Sequence, residues 1–225
     1  MFKIELHMHT KYGSCCGQMD EKALVAGYLK AGYSAGVVTD HYCRDSFDYM
    51  GISPRQGKAC LERFLEGYRR VAAEGAAQGL KVYRGAEVRF DDNFNDYLLL
   101  GYSDALLADP EKVFSMGLEA FSKLVRAEGA LLIQAHPFRW MCAPADHRWL
   151  DGVEVCNMHP GHNSQNDKAA EYADRWPGLI RTSGSDCHEP HHLGRGGIAA
   201  ETLPEDEAGL VSLLRSGAYT LLGEK

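Results

Sequence analysis

Short apolar runs alternate with longer amphipathic stretches along this chain, a pattern of strand followed by helix. Phe2–Leu6 predicts a first strand that ends at His7 and His9. Ala23, Leu24 and Leu29 fall at helical spacing over Glu21–Ala31, with Asp20 as N-cap. Ala35–Thr39 predicts the second strand, leading into Asp40 and His41. Leu61, Phe64, Leu65, Tyr68 and Val71 predict a helix over Arg55–Ala77, stopped by Gly79. Lys81–Val88, which contains Glu87, and Asp96–Tyr102 predict strands three and four. The polar stretch Phe90–Asn95 between them is too short for a helix and predicts a hairpin-like link. A helix over Glu111–Ala127, closed by Gly129, precedes strand five, Ala130–Ala135, which His136 and Pro137 end. Gly152–Cys156 is strand six, ending at Asn157, and Ser164–Arg175 is a shorter helix. Leu179–Ser183 is strand seven, leading to Asp186 and His188. Pro204–Ser216 predicts the last helix and Ala218–Leu222 a terminal strand or extension. Repeated β then α units imply a mainly parallel sheet, closed or open. No Gly/Ser-rich linker divides the chain, so one domain over 1–225 is expected.

The residues that follow the strands carry the chemistry. His7, His9, Asp40, His41, Glu87, His136, Asp186 and His188 are all metal-ligand types, and all fall at carboxyl ends of predicted strands. Parallel α/β barrels build their active sites at that end, from several strands. His7 and His9 lie two apart on an extended segment, so both side chains point to one face and can hold one ion. Asp186 and His188 repeat that spacing, and Glu87 has two oxygens with which to bridge two cations. Imidazole with carboxylate suits Zn, Mn or Fe better than a structural four-cysteine zinc site.

Composition narrows the classes. Hydrophobic residues at 45% and charged residues at 24% are ordinary globular usage, which excludes a disordered or low-complexity chain. A net charge of −7 argues against a duplex nucleic-acid partner, which needs a basic face. No run approaches the ~20 apolar residues of a membrane span, so no membrane association is expected. Seven cysteines, an odd number, and no apolar leader behind Met1 give the expectation of a reducing cytoplasm.

Five motifs together resemble the PHP family, the polymerase and histidinol phosphatase domains. They are HMHT at His7–Thr10, TDH at Thr39–His41, GAEV at Gly85–Val88, AHP at Ala135–Pro137 and SDCH at Ser185–His188. The resemblance implies a distorted seven-stranded (β/α)7 TIM-like barrel with two to three divalent metal ions at the strand ends. It implies that His7, His9, Glu87 and Asp186 hold one metal, that Glu87 and His136 hold a second, and that His41 and His188 hold a third. Asp40 matches a position beside the site, where a carboxylate orients His41 or another ligand. Asp40 and His188 are the catalytic candidates. Many members have a further ligand shortly after the first pair, where this chain has Cys15, and a histidine at the end of strand four, where it has Asp104. Cys15 and Asp104 are the possible replacements.

Arg139 and Arg195 are candidates for clamping phosphate oxygens. His159, His162, His191 and His192 are placed to line the entrance, and Trp140, Tyr42 and Phe47 to form apolar walls. The resemblance implies phosphate-ester hydrolysis, and the leading expectation is a small phosphomonoester attacked by a metal-activated hydroxide. The alternatives are a phosphodiesterase or 3′–5′ nuclease on short single strands, and a non-catalytic metal-binding module. A metal amidohydrolase ranks below these, because no lysine follows a predicted strand at a ligand position.

Overall fold

The computed structural model describes residues 1–223. Its strands are β1 Phe2–Met8, β2 Ala35–Val38, β3 His41–Tyr42, β4 Lys81–Arg89, β5 Asp96–Leu100, β6 Leu131–Gln134, β7 Gly152–Asn157, β8 Ile180–Gly184, β9 Gly197–Ala200 and β10 Tyr219–Leu222. The helices are α1 Glu21–Lys30, α2 Arg44–Tyr49, α3 Lys58–Phe64, α4 Glu66–Gln78, α5 Pro110–Ala127, α6 Asn166–Arg175 and α7 Glu207–Ser216. The sheet runs β10-β9-β1-β2-β4-β5-β6-β7-β8, with β3 beside β4. A parallel bridge from Met8 to Cys187 draws the end of the β8 segment back to β1, so the sheet nearly closes into a barrel.

The class is the expected one, an α/β barrel, but its strands differ from a regular sevenfold repeat. β5 is antiparallel to both β4 and β6, as the short polar link required. β9, unpredicted from the glycine-rich stretch that contains it, pairs antiparallel with β1 and carries β10 on its other edge. The helix expected over Arg55–Ala77 is divided at Leu65 into α3 and α4. Gly117, at φ 72° and ψ 172°, puts a kink in α5 that its neighbours span on either side.

Burial of apolar faces holds the strand ends in place. Tyr42, Phe47, Phe64 and Phe114 pack edge-on or tilted at centroid distances of 4.9–5.3 Å, joining β3 to α2, α3 and α5. A second cluster packs Leu210, Val211 and Leu214 of α7 against Ile4, Leu98, Leu131 and Ile198. Each such large side chain contributes roughly 1.5–3 kcal/mol by leaving water. Among the described residues no helix is long and apolar enough to cross a membrane.

Candidate metal centre

β1 delivers His7 and His9 side by side, and the sheet then brings Glu87 of β4 between them. His7 Nε2 lies 3.3 Å from Glu87 Oε1 and 3.4 Å from Asp186 Oδ1. His9 Nε2 lies 3.4 Å from Glu87 Oε2 and 3.3 Å from the same Asp186 oxygen. Glu87 also reaches outward on both sides, through Oε1 to His136 Nε2 at 3.1 Å and through Oε2 to His41 Nδ1 at 2.9 Å. Its two oxygens therefore face two different sets of imidazoles. His188 lies with Nδ1 3.6 Å from Asp186 Oδ1, and its ring stacks on His9 at 4.4 Å.

These atoms fit cations. His7 Nε2, His9 Nε2 and His188 Nε2 are buried and have no hydrogen-bond partner, and His41 Nδ1 and Glu87 Oε2, though 2.9 Å apart, do not align as a hydrogen bond. A buried polar atom left unpaired costs about 1–3 kcal/mol, so five in one cluster call for a ligand. The four nitrogen–oxygen separations of 3.3–3.4 Å around His7, His9, Glu87 and Asp186 match a coordination edge. Four ligand atoms arranged as a tetrahedron with arms of about 2.1 Å stand about 3.4 Å apart. His7, Glu87 and His136 form one group of ligand atoms within 4.8 Å of one another, and His9, His41 and His188 form another.

The protein braces this cluster from behind. Glu154, in the apolar run of β7, takes a bond from His7 Nδ1 at 3.0 Å through one oxygen. Its other oxygen accepts from the His136 backbone N–H and from Asn157 Nδ2. Asp40 accepts from the Thr10 backbone, the Thr10 hydroxyl and the Ser14 hydroxyl. Ser14 Oγ in turn meets His9 Nδ1 at 3.1 Å and accepts from the His41 backbone N–H. Asp40 thus steadies His9 through Ser14 and does not touch the His41 ring. Glu5 accepts from the backbone N–H groups of Leu6, His7 and Ser185, which ties β1 to the segment after β8. His136 at φ 29° and Asp186 at φ 47° hold left-handed backbone that costs non-glycine residues energy, an arrangement found where geometry is fixed for function.

Electrostatics agree with this design. Burial opposes charge on His7, but Asp186, Glu87 and Glu154 outweigh it and hold its pKa well above the usual histidine range. Burial opposes charge on Glu87 too, and His7, His41 and His136 overcome it, keeping the carboxyl well below its ordinary value. Burial and the His41 charge push His9 down to about 4. Burial pushes Asp40 up to about 6 against the bonds from Thr10 and Ser14.

The cluster opens into a cleft of about 360 Å³ whose walls include His41, His188, Arg89, Arg139 and His162. Arg139 lines the cleft, with Nη2 3.1 Å from Asp96 Oδ2 and Nη1 3.7 Å from Asp186 Oδ2. Arg195 does not line this cleft; its Nε is spent on the His191 carbonyl and its side chain is exposed. Asp104 is also remote from the cluster, paired with Arg84. The reason is strand direction: β5 is antiparallel, so its first residue and not its last faces the cluster. Asp96 occupies that place, 3.8 Å from His136 Nε2. Cys15 and Cys16 are both exposed on the cleft wall. Of the expected apolar walls, Trp140 lines the cleft, whereas Tyr42 and Phe47 are core. His191 and His192 pair with each other at 3.0 Å, and His159 stacks on His162 and meets His192 edge-on.

A family model described as PHP-associated matches residues 163–219. No curated protein matches the chain. A two-domain protein from Bacteroides vulgatus, described as containing a predicted PHP-like metal-dependent phosphoesterase, superposes with a TM-score of 0.71 at 15% identity. The match covers 98% of this chain and 64% of that protein, so this chain spans less than two thirds of its length. PsfC from Pseudomonas syringae superposes with a TM-score of 0.67 at 19% identity, over 94% of this chain and 89% of PsfC. The lesion-specific endonuclease Q of Pyrococcus furiosus gives 0.63 at 14% identity, over 98% of this chain and 57% of its own. The PHP resemblance read from the motifs is borne out in the fold and in the matched segment.

Proposed function

We propose that this chain, PHP-like in fold, is a metal-dependent phosphoesterase, a hydrolase whose substrate is a small phosphomonoester. The observation that supports it is a buried set of unpartnered imidazole and carboxylate atoms at the foot of a cleft with arginines on its wall. His7, His9, Glu87 and Asp186 would hold one divalent ion, Glu87 and His136 a second, and His41 and His188 a third, with Zn, Mn and Fe as the candidates. When bound, the ions supply a nucleophile from water near neutral pH and offset charge on the phosphoryl oxygens. Arg139, fixed by Asp96, directs its free N–H groups at the phosphate, and Arg89, on the same wall, adds positive charge. Asp40 is a positioning residue acting through Ser14, and His188 is a ligand that also faces the cleft.

A phosphodiester in a short single strand is the second reading. Trp140 and Phe94, 85% and 54% exposed, stand on the same cleft, and aromatic faces stack on bases. No duplex or membrane partner is proposed. The test is turnover of a panel of small phosphomonoesters and short single-stranded diesters by the chain loaded in turn with Zn, Mn and Fe. Faster monoester turnover supports the first reading and faster diester turnover the second. Full metal loading with no turnover of either ester leaves a non-catalytic metal-binding module.

A further inference from the structure

We propose that the ester this cleft accepts carries one flat aromatic ring system, a nucleobase or an aryl group, which lies against Trp140 while its phosphate meets Arg139. The inference rests on the phosphoesterase reading above and names the organic half of its substrate. Among the described residues eight large hydrophobic side chains are exposed, and three of them, Trp140, Phe94 and Met141, line this one cleft. Single exposed apolar side chains are ordinary, but three gathered around one cleft form a surface for a ligand.

The aromatic faces and the phosphate anchor share one rigid unit. Arg139, Trp140, Met141 and Cys142 form a tight turn, closed by the Cys142 N–H donating to the Arg139 carbonyl at 2.8 Å. Met141 stands in it at φ 70°, left-handed backbone that turns ordinarily give to glycine or asparagine. That conformation costs a non-glycine residue energy, and such outliers gather at ligand clamps. Here it holds Trp140 at the outer corner of the turn, 85% exposed. The turn is strapped to the loop before β5. The Cys142 thiol donates to the Phe94 carbonyl at 3.4 Å, and the Ala143 N–H donates to Asn95 Oδ1 at 2.9 Å. Asp96, the next residue, fixes Arg139 Nη2 at 3.1 Å. Each segment thus carries one aromatic side chain beside one half of the Arg139–Asp96 pair, so the backbone sets the spacing from ring to phosphate. The cleft of about 360 Å³ lies at the lower end of the roughly 300–1,000 Å³ of small-molecule sites. Its two arginines, Arg89 and Arg139, both bind Asp96, so no basic track leads away along which a strand could lie. The room is for one ring and one phosphate.

The test is titration calorimetry of the metal-free full chain, where no ester is consumed, beside turnover of the same esters by the zinc-loaded chain. The probes are adenosine 5′-monophosphate, 1-naphthyl phosphate and ribose 5-phosphate, the last keeping sugar and phosphate without the flat ring. Stacking of one base on an aromatic side chain corresponds to about 5- to 150-fold in affinity. At least one ring-bearing ester is expected to bind more tightly than ribose 5-phosphate by a factor in that range, and the tighter of the two tells nucleobase from aryl group. Trp140→Ala should bring the ratio near one, and Trp140→Phe should keep most of it. Trp176→Ala, at a ring that stacks on His147 outside the cleft, should leave the ratio as in the parent. Circular dichroism of each variant verifies folding, which an exposed turn position should preserve. Equal affinity for all three esters, absence of binding included, or a preference that survives Trp140→Ala, would overturn the inference, and turnover by the zinc-loaded chain would then leave the phosphoesterase reading intact. A ring preference abolished by Trp140→Ala, with no turnover of any ester, would support the stacking and overturn that reading.

Discussion

Glu154 and His7 share a hydrogen bond of 3.0 Å between a carboxylate oxygen and His7 Nδ1, both fully buried. The carboxylate can only accept, so His7 carries a proton on Nδ1, and it is Nε2, facing Glu87 and Asp186, that must give up its proton to offer a lone pair to a cation. Such carboxylate–histidine pairs set both the tautomer and the angle of a metal-ligating ring. Glu154→Gln removes the charge and keeps the shape. We expect metal affinity to fall by about 10- to 100-fold with little loss of fold, measured by competition against a chromophoric chelator. Unchanged affinity would show that Glu154 is only a packing residue.

Gly67 lets α4 lie against the brace beneath the site. A Cβ there would stand 2.4 Å from both Asp40 Oδ2 and Thr10 Oγ1. Gly67→Ala should destabilise the chain by roughly 1–3 kcal/mol, the usual penalty for overpacking a filled interior. Urea unfolding measures it. A neutral result would mean that the Thr10–Ser14 loop yields without cost.

The two arginine candidates separate by position. Arg139 lines the cleft and Arg195 does not. Arg139→Ala should lower kcat/KM by about 10- to 150-fold, the equivalent of the ~1.5–3 kcal/mol of hydrogen bonds to a charged group. Arg195→Ala should stay near the parent rate. The reverse ranking in steady-state kinetics would move the phosphate to the other side of the site.

Much of this arrangement is legible in the sequence because strand ends are marked by residue type. His7, His9, His41, Glu87, His136, Asp186 and His188 stand out as ligand types after apolar runs, and the structure brings all of them together. Asp96 was also within reach of sequence reasoning. A short polar link after Lys81–Val88 implies a hairpin, and a hairpin reverses which end of the next strand faces the site. Beyond the other end of that strand lies Asp104, which pairs with Arg84 instead. Glu154 and Glu5 leave a fainter signal, each the lone carboxylate of its strand. The bonds from Ser14 to His9 and His41 depend on the path of a loop, which no periodicity encodes.

The charge balance of the cluster makes metal uptake dependent on pH. Without metal, Asp186, Glu87 and Glu154 at His7, and Glu87 with Cys16 at His41, overcome burial to hold both rings well above the ordinary histidine range, so both keep protons at neutral pH. A cation needs neutral imidazole, so loading must expel those protons. Apparent affinity should therefore fall as pH is lowered. Titration calorimetry in buffers of different ionisation enthalpy should give heats that depend on the buffer, and heats independent of it would contradict this.

Glu87 is the residue on which the account turns, since its two oxygens face His7 and His136 on one side and His9 and His41 on the other. The most direct measurement is metal content by elemental analysis of the parent chain and of Glu87→Ala, run beside turnover of a phosphomonoester. The expected result is two or three equivalents with turnover in the parent, and loss of both metal and turnover in the variant. Equal metal content and equal rate in the two proteins would contradict it.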